Sequence, residues 1–138
     1  LYALSIFTPE SAMSAHQTRQ RKAIYQTISQ APGPLRPNEI LELASADVPR
    51  LGIATVYRTI NLLLEAGEIQ AVPIDANDVR YEPTDRGHHH HFLCRMCNTV
   101  YDMEGCAGHM AKMLPYGFEM DEHEILIRGT CSTCKSKA

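Results

Sequence analysis

The sequence predicts an α/β chain in two domains: an N-terminal winged helix-turn-helix and a small C-terminal α/β unit closed around a four-cysteine zinc site. Three observations predict it. Apolar residues recur at helical spacing three times before residue 67, and two short strand-like runs follow. Two Cys-x-x-Cys pairs, Cys94/Cys97 and Cys131/Cys134, stand in the second half. Four consecutive histidines, His88 to His91, run directly into the first of those pairs.

A chain of 138 residues suffices for one ordinary domain or two small ones, and small domains often need a metal or a second chain. Hydrophobic content of 44% with no Trp fits a globular protein rather than disorder. No apolar run approaches the roughly 18 residues of a membrane span, so no membrane partner is expected. The apolar opening, Leu1 to Phe7, is short and lacks a basic flank. Residues 1–15 therefore read as an N-terminal arm or vector-derived residues rather than a cleaved leader. Five cysteines, four of them paired at metal-ligand spacing, point to metal in a reducing cytoplasm more than to disulfides. The formal net charge of -3 excludes a global basic field, so any nucleic-acid contact must come from a local patch.

The first domain is expected over residues 16–83. Ser14 is a candidate cap for the first helix, on which Ala23, Ile24 and Ile28 fall at helical spacing before Pro32-Gly-Pro34 stops it. Pro37 suits the first turn of the second helix; Ile40, Leu41, Leu43 and Ala44 are its apolar positions, and Pro49 lies past its end. Gly52 opens a third helix with Val56, Ile60, Leu63 and Leu64 on one face. Thr55, Arg58, Thr59 and Leu62 lie away from that face, and Gly67 ends the helix. Ile69–Ile74 and Val79–Glu82 then form a hairpin across the turn Asp75 to Asp78. Three helices and a hairpin make a winged helix, whose third helix enters the major groove of DNA. Arg19, Thr55, Tyr57 and Arg58 are the candidate DNA contacts, with Arg21 and Lys22 adding charge towards the phosphates. The same pattern also fits a small helical domain on which Tyr57 and Arg58 are ordinary surface residues.

Residues 84–87 read as a hinge, and 88–138 as the second domain. Phe92–Cys94 and Thr99–Met103 are expected strands, Ala107–Leu114 a short helix, and Phe118–Asp121 and Glu124–Arg128 two further strands. Four thiolates from Cys94, Cys97, Cys131 and Cys134 suit a closed tetrahedral zinc site of the structural kind. A redox pair should sit in a βαβ pattern, which is absent; an iron–sulfur cluster is the other alternative. Cys106 is left over, read as a buried inert thiol or else an additional ligand. On a strand the histidines alternate, so His89 and His91 face one way and His88 and His90 the other. Glu82 and Asp102 are candidate partners on the first side, His109 and His123 on the second. The bland readings of the run are a purification tag or a solvated loop. No nucleophile–base pairing stands out, and a closed four-thiolate site keeps no open position, so no enzyme is expected.

The segments Thr18 to Arg21, Gly52 to Arg58, Glu65 to Gly67, Arg80 to Glu82, His88 to His91, Cys94-x-x-Cys97, and His123 followed by Gly129-Thr-Cys-x-x-Cys134 stand in a distinctive order and spacing. Over about residues 16–135 the chain thereby resembles the ferric uptake regulator (Fur) superfamily, and is nearest to its zinc-uptake or peroxide-responsive members. The resemblance implies a homodimeric, metal-dependent transcription regulator whose C-terminal domain dimerises and which grips a palindromic double-stranded DNA operator. It implies structural Zn2+ at Cys94, Cys97, Cys131 and Cys134. It implies a regulatory site of Glu82, His89 and His91, with Asp102 matching a carboxylate used in some members. It implies an additional site of His88, His90 and His123, with His109 at the customary carboxylate position. Four imidazoles favour zinc, so Zn2+ is expected as the second divalent ion ahead of Fe2+ or Mn2+. The expected function is a zinc-responsive repressor. The alternatives are an iron- or manganese-bound peroxide sensor of the same fold, and a zinc-storage or zinc-delivery protein.

Overall fold

A computed structural model describes residues 9–137, with side chains from residue 15. Three helices come first: α1 (Pro9–Gln30), α2 (Pro37–Ala44) and α3 (Ile53–Glu65). Ser14 lies inside α1 rather than at its start, and residues 9–15 belong to the helix; residues 1–8 of the expected arm lie outside the described residues. In α2 the Glu39 carboxylate accepts hydrogen bonds from the Arg36 backbone N–H (3.2 Å) and Nε (3.0 Å), which anchors the first turn. The helical spacing becomes one core: Ile24 and Ile28 of α1, Ile40 and Ala44 of α2, and Val56, Ile60 and Leu63 of α3 are buried together with Leu35, Leu51 and Ile69. Two positions depart from expectation. Leu43 is 53% exposed, while Thr59 is buried, because the α3 stripe is wider than its apolar residues alone indicate.

The strands β1 (Ile69–Asp75) and β2 (Asp78–Pro83) pair antiparallel, with Gln70 opposite Glu82. A 3-10 turn, Thr84–Arg86, occupies most of the expected hinge. A second sheet follows, in the order β4–β3–β5: β3 (His90–Cys94) pairs antiparallel with β4 (Val100–Met103) and parallel with β5 (Leu126–Gly129). A short helix α4 (Ser132–Ser136), which periodicity did not reveal, carries the last cysteine. Only a 3-10 turn, Met110–Met113, forms within the expected helix 107–114. Phe118 to Asp121 is not a strand; Phe118 is 66% exposed, and among the described residues no neighbouring edge pairs with the segment. Among the described residues, no helix is long and apolar enough to cross a membrane.

The two parts are tied by polar contacts. The Pro32 carbonyl accepts from the Asp102 backbone N–H at 2.9 Å. Arg86 pairs with Asp102 and donates to the carbonyls of Ser29 (2.7 Å) and Ala31 (3.3 Å) at the end of α1. Arg80 is fully buried, forks onto both Asp78 oxygens at 3.0 and 2.9 Å, and donates to the Asn98 carbonyl at 2.9 Å. Those hydrogen bonds hold the Asp78 carboxyl below its usual range. Gly33 lies against β4 so closely that a Cβ would overlap the Val100 carbonyl. Gly33→Ala is expected to cost about 1–3 kcal/mol, read as a lowered denaturation midpoint; an unchanged midpoint would show that the loop can move away freely.

Candidate metal centres

The thiols of Cys94, Cys97, Cys131 and Cys134 converge, with their sulfurs within 4.8 Å of one another. Cys94 ends β3 and is buried, Cys97 follows it through a tight turn, Cys131 caps α4, and Cys134 lies within α4. Sγ of Cys97 and Cys131 are 3.9 Å apart, close to the ~3.8 Å edge of a tetrahedron with zinc–sulfur bonds of about 2.3 Å. Backbone N–H groups of Cys97 and Cys131 draw the Cys94 thiol down to about 6, the latter donating at 3.3 Å. The neighbouring Cys131 sulfur pushes Cys134 up to about 12. The number and spacing of the four sulfurs fit Zn2+.

On one side of β3 lies a second group. Glu82 from β2, His89 and His91 at and before β3, and Asp102 from β4 bring their ligand atoms within 4.8 Å of one another. Strand alternation puts both imidazoles on one face, and the β3/β4 register sets His91 opposite Asp102. Both Nε2 atoms lie 2.9 Å from the same oxygen of Glu82, a residue only 1% exposed. Nδ1 of His89 meets the Gly87 carbonyl at 2.9 Å, so a proton held there leaves the Nε2 lone pair free for a metal. Asp102 Oδ1 is buried with no hydrogen bond, 3.4 Å from His91 Nε2. An orphaned buried oxygen beside two convergent imidazoles and a buried carboxylate fits a divalent cation.

Without a metal, this charge is balanced by protons. Burial acts against the charged forms throughout. Even so, hydrogen bonds from His91, Gln70 and His89 keep Glu82 below its usual range. Asp102 is likewise held low by His91 and Arg86, and the two carboxylates raise His91 to about 9. The apo contribution of His91 to stability is therefore full below pH ~6.5 and lost as pH rises through about 9. Metal must displace that proton. Apparent affinity at this group should rise about tenfold per pH unit from pH ~6.5 towards 9, with release of at least one proton. Competition titrations in two buffers of different ionisation enthalpy check it; a pH-independent affinity would show that His91 is not a ligand.

The opposite face of β3 carries the third group: His88, His90, Cys106 and His123. Ring centroids lie 4.6 Å apart for His88–His90, 4.7 Å for His88–His123 and 5.0 Å for His90–His123. His109 is not in this group. It precedes the 3-10 turn at 110–113, exposed, and Cys106 takes the expected position, its Sγ 3.0 Å from His123 Nε2. Cys106 is exposed, not a buried inert thiol.

Of the residues expected at DNA, Thr55 and Arg58 line a cleft of about 510 Å3 between α1 and α3 that includes Arg21 and Leu62. Arg19 and Arg58 are exposed and Tyr57 is 51% exposed, whereas Arg21 is engaged by Glu68 at 3.1 Å. Sequence reasoning gave no role to Gln70, whose Nε2 donates to Glu82 Oε1 at 2.9 Å and orients the carboxylate. The signal was its place opposite Glu82 on a hairpin of fixed register. It also missed Arg86 as the clamp on Asp102, which only the folded loop reveals.

Three ligand clusters, one joining a helical unit's hairpin to a second sheet, equip the chain to bind metal. The chain belongs to the ferric uptake regulator family, whose model matches residues 12–128. It is 30% identical over 125 residues to the ferric uptake regulation protein of Campylobacter upsaliensis, covering 87% of this chain and 80% of that one. It is also 30% identical over 131 residues to the zinc uptake regulation protein of Mycobacterium tuberculosis, covering 91% and 99%. The iron-containing ferric uptake regulator structure from Francisella tularensis matches with a TM-score of 0.67 at 26% identity, over 98% of both chains. Members of this family are transcriptional regulators rather than enzymes; they bind DNA operators and are typically dimers.

Proposed function

We propose that this chain is a cytoplasmic, zinc-responsive repressor, active as a homodimer on a palindromic operator. The observation that carries the reading is the shared cluster of Glu82 with His89, His91 and Asp102. Glu82 stands on the hairpin beside the helices, His91 and Asp102 stand on the second sheet, and His89 immediately precedes its strand β3. A divalent ion held there would supply the positive charge that both carboxylates need. Glu82, oriented by Gln70, then anchors the hairpin to the sheet, while Arg86 holds Asp102 and the end of α1 together. These contacts favour one orientation of the helical unit, which is a two-state bias of the kind metal affinity can shift. In this reading the helical unit is a winged helix, with Arg19, Thr55, Tyr57 and Arg58 meeting DNA. Exposed Phe118, Met120 and Ile127 support a second copy covering the C-terminal sheet.

The test is selection of duplexes from a randomised library by the zinc-loaded chain, then anisotropy titration with and without a chelator that spares the four-cysteine zinc. Arg58→Ala is expected to weaken binding by about 5- to 150-fold with metal content unchanged. Equal DNA binding with and without the labile metal would favour storage or delivery instead. Two carboxylates with two imidazoles also suit Fe2+ or Mn2+, which keeps a peroxide sensor as the second reading. Its signature is one added oxygen on His89 or His91 after iron loading and peroxide.

A further inference from the structure

We infer that Cys106 is a metal ligand, completing with His88, His90 and His123 a three-imidazole, one-thiolate site selective for zinc over Fe2+ or Mn2+. All four donor atoms lie within 4.8 Å of one another. Alternation along His88 to His91, leading into β3, turns His88 and His90 away from Glu82, so this cluster is separate from the one that joins the two units. His90 is the decisive observation. It is 3% exposed, and neither of its ring nitrogens has a hydrogen-bond partner. A buried imidazole with two orphaned nitrogens is costly unless something else satisfies it. Its ring neighbours, His88 and His123, lie with centroids 4.6 and 5.0 Å away, yet neither forms a hydrogen bond with it.

The thiol completes the set. Cys106 sits between two glycines with φ of +86° and +72°, Gly105 and Gly108, so the loop can turn sharply towards the sheet. Its Sγ reaches His123 Nε2 at 3.0 Å. A thiol–imidazole pair alone would explain that one contact, but not His88 or the orphaned His90. Three nitrogens and one thiolate are a borderline-soft, four-coordinate set. Such a set suits zinc, whereas Mn2+ and Fe2+ favour oxygen donors and more ligands. The thiolate also gives this group a chemical identity that the Glu82 cluster, with only nitrogen and oxygen donors, lacks.

The experiment is a Co2+ titration of the full chain carrying its four-cysteine zinc, in a His89→Ala/His91→Ala background that disables the Glu82 cluster. One equivalent should bind with intense tetrahedral visible bands and a near-ultraviolet thiolate-to-cobalt charge-transfer band. Adding Cys106→Ser, at an exposed position, should abolish the charge-transfer band, and Cys106→Asp should move the preference from zinc towards Mn2+. Zinc measured after the titration must remain one per chain, which locates the signal outside Cys94, Cys97, Cys131 and Cys134. In a parallel arm, Zn2+ should protect Cys106 from alkylation, mapped by peptide mass. Absence of the band in the parent, its persistence in Cys106→Ser, or equal alkylation with and without metal would each overturn the proposal. None of these readouts uses DNA, so the result stands apart from the repressor reading.

Discussion

Cys94→Ser is expected to unfold the C-terminal sheet while leaving the three helices folded. The two parts of the chain differ sharply in what holds them. The helical unit buries a contiguous apolar core from Ile24 to Ile69. Beyond residue 87, the buried apolar side chains among the described residues are Cys94 and Val100. Binding of zinc to a four-ligand structural site contributes an apparent ~10–16 kcal/mol, comparable to or larger than the whole stability of an ordinary domain. Without Cys94 the remaining thiols lose their closed tetrahedron, and β3, whose last residue it is, loses its anchor. Amide exchange is the measurement. Protection should vanish across β3, β4 and β5 and persist in α1 to α3, with zinc content near zero. A zinc-free chain with a protected C-terminal sheet would refute the account.

His91→Ala is expected to abolish metal-dependent DNA binding while sparing the thiolate zinc. His91 lies close to both carboxylates, at 2.9 Å from Glu82 and 3.4 Å from Asp102, and its proton is held more firmly than the ordinary imidazole's, up to about 9. Removing it would delete one of the four proposed ligands and also the positive charge that balances buried Glu82 and half-buried Asp102 in the apo form. Coupling between sites in regulators is worth about 1–3 kcal/mol, so loss of the whole coupling should appear as about a 5- to 150-fold fall in DNA affinity in the presence of metal. In the chelated state, variant and parent should bind DNA equally weakly. Isothermal titration of the labile metal beside anisotropy with DNA separates the two effects. A variant that keeps the normal metal response would remove His91 from the regulatory set.

The local chemistry of both units was legible in the chain. Helical spacing located α1 to α3, since an amphipathic helix repeats its apolar residues every turn. The turn Asp75 to Asp78 set the hairpin, and the two Cys-x-x-Cys pairs named the four thiols that the fold gathers. Period-two alternation alone separated His89 and His91 from His88 and His90, because a strand has no other way to place successive side chains. Tertiary structure decided what depends on contacts distant in sequence. Local pattern favoured His109 over Cys106, yet the loop at 104–109 brings the thiol to His123. Phe118 to Asp121 has strand-like composition but pairs with no edge among the described residues, and pairing is what makes a strand. Gln70, Arg86 and Gly33 owe their roles to register, to a helix end and to a close backbone approach. The sequence by itself determined which donors exist and on which face of a strand they lie. Only the folded chain decided which donors meet, because a cluster forms where separate elements pack, and local periodicity carries no record of that packing.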